Sequence, residues 1–275
     1  MDEYRRRNRE HWEELARIHP GTNFYDVEAF LDGESTLRPL ECEAIGNVEG
    51  CSMLHLQCHF GLDSLSWARE GADVAGVDFS DTAIEAARDL AAEADLTGRA
   101  RFLAADVYDL PERLADAHGT FDLVFTFYGV LGWLPDVEAW AEVVAAFVQP
   151  GGRFLHCGDP PSEPRADGPS SRHWRLGSAW PYLGDGPIEF DEEGTYADPD
   201  AAVEHATTYE WPHTAGEIVT ALIDAGLRIE YLYEHPFACF EQFAGMRERE
   251  DGFFEFPDEP FPLTFSLEAR KPRSE

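Results

Sequence analysis

Between residues 52 and 157 short apolar runs alternate with amphipathic segments, and few architectures accommodate that rhythm. Residues 52–57, Asp73–Asp78, 100–105, Phe121–Phe127 and 153–157 read as strands. Residues 61–70, 81–94, 111–117 and 136–148 read as the helices between them, the last ended by Gln149-Pro150-Gly151-Gly152. Asp81 falls in a first helical turn, where an acid is favoured. Strand and helix in strict alternation predict a doubly wound, mostly parallel α/β sheet.

The flanks depart from this rhythm. Residues 4–18 predict a helix with Trp12, Leu15, Ala16 and Ile18 on one side, stopped by Pro20-Gly21. Residues 26–46 read as a second, partly irregular helical stretch. Residues 158–210 are rich in Pro, Gly, Asp and aromatics, and a structureless stretch of that length is uncommon unless functional. The expectation is an insertion or lid carrying Trp174, Trp180, Tyr182, Phe190 and Tyr196. A helix over 213–225 follows, with Gly226 as its stop, then a strand over 227–234. A second aromatic insertion spans 236–261, and a last strand covers 263–270. The chain thus divides into a helical cap, 1–50, and an α/β domain, 51–275, with insertions at 158–210 and 236–261.

Open α/β sheets bind ligands at the carboxyl ends of their strands, near the switch in strand order. The first three ends read Leu56-Gln57-Cys58-His59-Phe60-Gly61, Val77-Asp78-Phe79-Ser80 and Ala104-Ala105-Asp106-Val107. An acid about 20 positions beyond the first turn is what a ribose needs. Asp78 lies 17 positions after Gly61 (78 − 61) and ends an apolar strand. Asp106, ending the third strand, suits an exocyclic amine such as that of adenine. Together they describe an adenosine site. Nothing matches GxxxxGK[ST], which argues against a phosphate-cradling loop, and the missing GxGxxG argues against a nicotinamide dehydrogenase.

On these residues the sequence resembles class I S-adenosylmethionine-dependent methyltransferases. Their first motif runs hydrophobic-hydrophobic-acid-x-Gly-x-Gly-x-Gly before a helix, and an acid ends the next strand. Here His55 stands in place of the acid, Gln57 and His59 in place of the first two glycines, and Gly61 is retained. The run Leu54-His-Leu-Gln-Cys-His-Phe-Gly61 with Gly76-Val-Asp-Phe-Ser80 resembles a subgroup bearing this altered loop. That likeness extends to Trp12, Tyr25, the run from Tyr128 to Leu134, and the run from Tyr209 to His213. The resemblance implies a Rossmann-like seven-stranded sheet with its last strand antiparallel. It also implies S-adenosylmethionine as cofactor, S-adenosylhomocysteine as product and a small-molecule methyl acceptor.

The implied cofactor residues are Leu56, Gln57, Cys58, His59, Phe60, Gly61, Asp78, Phe79, Ser80, Asp106, Val107 and Phe127. Gln57 and His59 give up glycine's freedom at positive φ but add hydrogen-bonding side chains. Aromatic faces hold a sulfonium cation, and Phe60, Phe79, Phe127, Tyr128 and Trp133 are the candidates. Tyr128, His156 and His213 are the catalytic candidates, with Asp159 as a further base; Tyr25, His19, Trp133 and Trp211 are placed in the substrate site or lid. A non-catalytic adenosine-binding sensor on the same fold competes with the enzyme. An acceptor pocket open and polar-lined favours the enzyme; one filled by aromatic rings favours the sensor.

Charge bears on setting more than on chemistry. Asp and Glu number 54 against 21 Lys and Arg, for a net charge of −33, and Lys271 is the only lysine. Such a surface repels itself at low salt and is screened at about 1 M, where the Debye length falls to about 3 Å. With 13% aromatic residues the chain is no disordered acidic tail, and it resembles a halophile's protein. The charge argues against nucleic-acid partners. Arg5, Arg6, Arg7 and Arg9 read as the solvated face of the first helix. No apolar run has the ~20 residues of a membrane span, and no secretory signal is visible, so a cytoplasmic monomer or homodimer is expected. Five cysteines without CxxC spacing predict neither a metal site nor disulfides, but buried thiols.

Overall fold

The computed structural model describes residues 2–158, 165–166, 174–175, 183–184, 186–191, 194–243, 245–257 and 262–273. Its seven long strands are β1 Ser52–Leu56, β2 Asp73–Asp78, β3 Ala100–Ala104, β4 Phe121–Phe127, β5 Val148–Gly158, β6 Arg228–His235 and β7 Thr264–Arg270. They form one sheet in the order β6-β7-β5-β4-β1-β2-β3. The strands from β1 to β5 pair in parallel. β7 runs antiparallel to both β5 and β6, as expected of the last strand. The order reverses at β1, which pairs with β2 on one side and β4 on the other. The carboxyl ends of these three strands therefore frame a crevice.

Side-chain alternation along β1 builds the core on both faces. Leu54 and Leu56 join Trp140, Val144, Phe154, Leu222 and Leu267 on one face. These come partly from helices α7 (Val137–Phe147) and α8 (Ala215–Asp224). Met53 joins Leu65, Trp67, Ile84, Phe102 and Phe125 on the other, beneath α4 (Leu62–Arg69) and α5 (Asp81–Glu93). His55 is buried among them, its ring 4.2 Å from that of Phe125 and its Nδ1 2.8 Å from Ser64 Oγ. In place of the family's acid it satisfies one polar contact inside an apolar layer.

Several boundaries move. α1 covers Glu3–Ile18, and the stretch after it breaks into α2 (Val27–Leu31) and α3 (Pro39–Ile45). α6 is only Leu110–Arg113, followed by a 3-10 turn. β5 begins at Val148, paired with Phe121, because residues 149–152 form a bulge within the strand and not a turn before it. His213 does not open α8: Thr214 caps that helix, accepting from Glu217 N while the Glu217 carboxylate accepts from Thr214 N. Cys58, Cys157 and Cys239 are buried as expected, but Cys42 is exposed and Cys51 half-buried.

The first insertion carries a ribbon, Ile188–Asp191 against Thr207–Glu210. It is stitched to α1. Asn8 Nδ2 donates to Tyr209 O across 2.6 Å, and Tyr209 N donates back to Asn8 Oδ1 across 2.8 Å. Glu14 accepts from the N–H groups of Glu204 and His205. The second insertion folds as three short strands, Phe237–Ala238, Arg247–Glu248 and Phe254–Glu255. Asp159, Trp180, Tyr182 and the side chain of Trp174 lie outside the described residues.

Candidate functional site

The turn after β1 keeps the shape of a glycine loop without its glycines. Gln57, His59 and Gly61 all lie in the left-handed region, at φ of 57°, 51° and 82°. That conformation costs an L-residue roughly 1–2 kcal/mol, so it persists only where neighbours enforce it. Gln57 Nε2 donates to Val130 O across 3.0 Å, and Cys58 N donates to Val77 O across 2.9 Å. His59 N donates to Asp78 Oδ2 across 2.9 Å. Gly61 is retained for packing: a Cβ there would stand 2.7 Å from the Phe102 ring and 3.0 Å from Ala87. It therefore serves the close contact between α5, β3 and the turn.

Asp78 ends β2 facing this turn. Its other oxygen accepts from Ser80 N across 2.9 Å, and burial raises its pKa to about 6 against the lowering effect of these backbone donors. Two accepted bonds leave a carboxylate further lone pairs for hydroxyl groups. Ser80 stands one layer behind, its hydroxyl accepting from Ala83 N as the cap of α5. Asp106 accepts from Tyr108 N across 3.0 Å and meets Arg5 Nη1 at 3.0 Å. Arg5 is thus turned inward, over the Tyr108 ring at 5.2 Å. The solvated-face reading fails for Arg5, because 5, 8, 12 and 15 share the inner face of α1. It holds for Arg6, which is exposed and pairs with Glu10.

Over the turn sits an aromatic and histidine cluster. His19 Nδ1 and His59 Nε2 are 2.9 Å apart, and the Trp12 ring lies 5.3 Å from that of His59. Burial lowers both: His19 is pushed down to about 4, with a further contribution from His11, and His59 goes well below the usual range, with a further contribution from His19. Tyr25 and Tyr196 hydroxyls hydrogen-bond, joining the cap to the first insertion. Phe60 is buried against Tyr25 at 4.7 Å.

These residues surround one cavity of about 830 Å³, within the usual range of ligand sites. Its walls include Gln57, Cys58, His59, Phe60, Gly61, Asp78, Phe79, Asp106 and Val107 at the first three strand ends. Phe127, Tyr128, Trp133, His156, Trp211, His213 and Tyr25 continue it. Leu56, fully buried, and His19 stand behind the wall.

The candidate bases are held by main-chain carbonyls. His156 Nδ1 donates to Thr126 O across 3.2 Å, and burial lowers its pKa to about 4. His213 Nε2 donates to Leu134 O across 2.6 Å. Tyr128 adopts φ 46° and buries a hydroxyl that has no hydrogen-bond partner among the described residues. Sequence reasoning missed Arg5 and two acids of the same cavity wall, Glu41 on α3 and Asp63 in the first turn of α4. The helical spacing of Arg5 from Asn8 and Trp12 carried its signal, whereas Glu41 looks from sequence like an ordinary third residue of a Pro-led helix.

Residues 53–152 match the family described as methyltransferase domain. A ubiquinone biosynthesis O-methyltransferase of Pectobacterium atrosepticum is 30% identical over 149 residues, 52% of this chain and 59% of that relative. The chain therefore spans less than two thirds of the length of this curated relative. An S-adenosylmethionine-dependent methyltransferase structure from Mesorhizobium loti aligns with TM-score 0.58 and 23% identity, over 88% of this chain and all of that one. The geranyl diphosphate C-methyltransferase of Streptomyces coelicolor aligns with TM-score 0.52 and 13% identity, over 83% and 75% of the two chains. The fold is that of the class I methyltransferases.

Proposed function

We propose that this chain transfers a methyl group from S-adenosylmethionine to a small-molecule acceptor. One observation carries the reading. The left-handed turn at Gln57, His59 and Gly61, with Asp78 bonded to it, opens onto the same cavity that reaches Tyr128, His156 and His213. Cofactor and acceptor need such a shared space, since methyl transfer is an in-line displacement that depends on orientation and desolvation.

The residues present fit the cofactor. Asp78 has lone pairs left for the ribose hydroxyls, and the carboxylate of Asp106 on the same wall suits the adenine amine. Phe60, Phe79, Phe127 and Trp133 supply aromatic surface, of which a cation is tolerant. When bound, S-adenosylmethionine supplies an electrophilic methyl on a sulfonium. The protein's part is to hold the ribose at Asp78, fix the turn through Val130, and exclude water beneath Trp12, Tyr25 and Tyr196.

The sensor reading loses ground because the cavity beside Tyr128 remains open and contains polar groups. We read the charge of −33 as adaptation to high salt, and a small, non-nucleic-acid acceptor as the partner. The test is a methyl-transfer screen across metabolite classes at about 1 M salt, where surface repulsion is screened, followed by S-adenosylhomocysteine formation. Product formation with one class supports the reading. Tight cofactor binding with no turnover of any class would restore the sensor.

A further inference from the structure

The deep end of the cavity, beneath α3, holds polar atoms that neither the fold nor the cofactor reading uses. Glu41 is 1% exposed. Its Oε1 accepts from Arg38 N across 2.8 Å, which accounts for its part in starting α3. Its Oε2 is buried, has no hydrogen-bond partner among the described residues and belongs to a residue of the cavity wall. Among the described residues the Tyr128 hydroxyl and Gln57 Oε1 are likewise buried and without a partner. Buried polar atoms are normally satisfied. Three orphaned oxygens on one cavity wall, from α3, the turn after β1 and the end of β4, describe a place where a ligand completes the bonding.

We propose that Glu41, with Tyr128 and Gln57, forms the acceptor subsite, and that the acceptor is an amine carried on an apolar or aromatic body. This rests on the methyltransferase reading and refines it. The amide oxygen Gln57 Oε1 accepts only, a carboxylate accepts only, and a hydroxyl does either. An ammonium or amine brings the two or three N–H donors such a set requires. The charges around Glu41 are mixed but lean negative: Asp63 and Arg38 both interact with it, and the Asp63 effect is the larger. The cation Arg38 directs Nη1 to Gly252 O and lies over the Phe253 ring. Phe24, Phe30 and Phe240 line the same cavity and suit the ligand's apolar part.

The proton inventory favours nitrogen over oxygen. Burial, and then Asp63, raise the Glu41 carboxyl well above the usual range, which favours its protonated form before a cation enters and makes it a poor base for a hydroxyl. An entering ammonium restores the carboxylate by its charge and displaces that proton to solvent. It then leaves one of its own protons on Glu41 and exposes a lone pair. The nitrogen attacks the methyl carbon, the C–N bond forms as the C–S bond breaks, and the sulfur takes the bonding pair as a neutral thioether. The product leaves as a methylammonium, and Glu41 is again protonated. One proton is released per turnover.

The experiment uses the full chain at about 1 M salt and three matched probes: 2-phenylethylamine, 2-phenylethanol and phenylacetate. Each is titrated by calorimetry with and without S-adenosylhomocysteine, so that failure of the cofactor site and failure of the acceptor site read separately. The amine should bind about tenfold or more tighter than the alcohol or the acid. Glu41→Gln keeps an oxygen for the Arg38 N–H; it should retain S-adenosylhomocysteine affinity and lose about tenfold or more toward the amine. Tyr128→Phe should weaken the amine without loss of the fold. Preference for the alcohol or the acid, unchanged amine affinity in Glu41→Gln, or binding of none of the three would overturn the proposal.

Discussion

The His59 main-chain N–H donates to Asp78 Oδ2 across 2.9 Å, tying the turn after β1 to the acid that ends β2. Two strand ends thereby act as one rigid unit. The bond also explains how a turn short of two glycines holds its shape, because His59 is fixed in the left-handed region from outside.

Gly61 and Gln57 should respond oppositely to substitution. Gly61→Ala places a Cβ 2.7 Å from Phe102 at a φ of 82° and should destabilise by about 2–4 kcal/mol in denaturant unfolding. Gln57→Gly removes a left-handed cost of roughly 1 kcal/mol and one hydrogen bond of about 1 kcal/mol. Its stability should stay close to the parent's while cofactor affinity falls. A Gly61→Ala protein as stable as the parent would refute the packing role.

Cofactor affinity should fall as the solution becomes acidic. Asp78 has its pKa raised to about 6 by burial, and hydroxyl binding needs the carboxylate. Below about pH 6 the affinity should weaken, approaching tenfold per pH unit; a flat titration from pH 7 to 5 would contradict the ribose role. Stability has a different dependence. His19, lowered from 6.5 to about 4, contributes stability present above about 6.5 that is lost as pH falls toward about 4. Asp78, raised from 3.8, contributes stability present below 3.8 and lost as pH rises through about 6, so it offsets part of the acid loss. His19→Phe should flatten the acid limb of a melting-temperature profile.

A chain of net charge −33 should gain stability with salt. Between about 0.1 M and 1 M the Debye length falls from about 10 Å to about 3 Å, and the melting temperature should rise steadily. A melting temperature independent of salt would remove the halophilic reading.

The parts of this site legible in sequence are those set by local rules. Asp78 and Asp106 end apolar strands, and strand ends follow from patterning. The positions of Gln57 and His59 were legible too, but their left-handed geometry was not, because side-chain propensity opposes it and tertiary bonds impose it. Arg5 was misread for a related reason. Its charge suggested solvent, while its helical phase with Asn8, Trp12 and Leu15 pointed inward to Asp106. Glu41 had no sequence signal, since its burial depends on where α3 docks against β5. The joining of the cap to the first insertion through Asn8 and Tyr209 spans 201 positions, beyond the reach of local pattern.

The turn from Gln57 to Gly61, together with Asp78, is expected to bind S-adenosylmethionine. Calorimetric titration of the wild-type chain and Asp78→Asn with S-adenosylhomocysteine, at about 1 M salt, tests it most directly. Saturable one-site binding to the wild type is expected, weakened well over about tenfold in the variant. Equal affinity in the two proteins would contradict it.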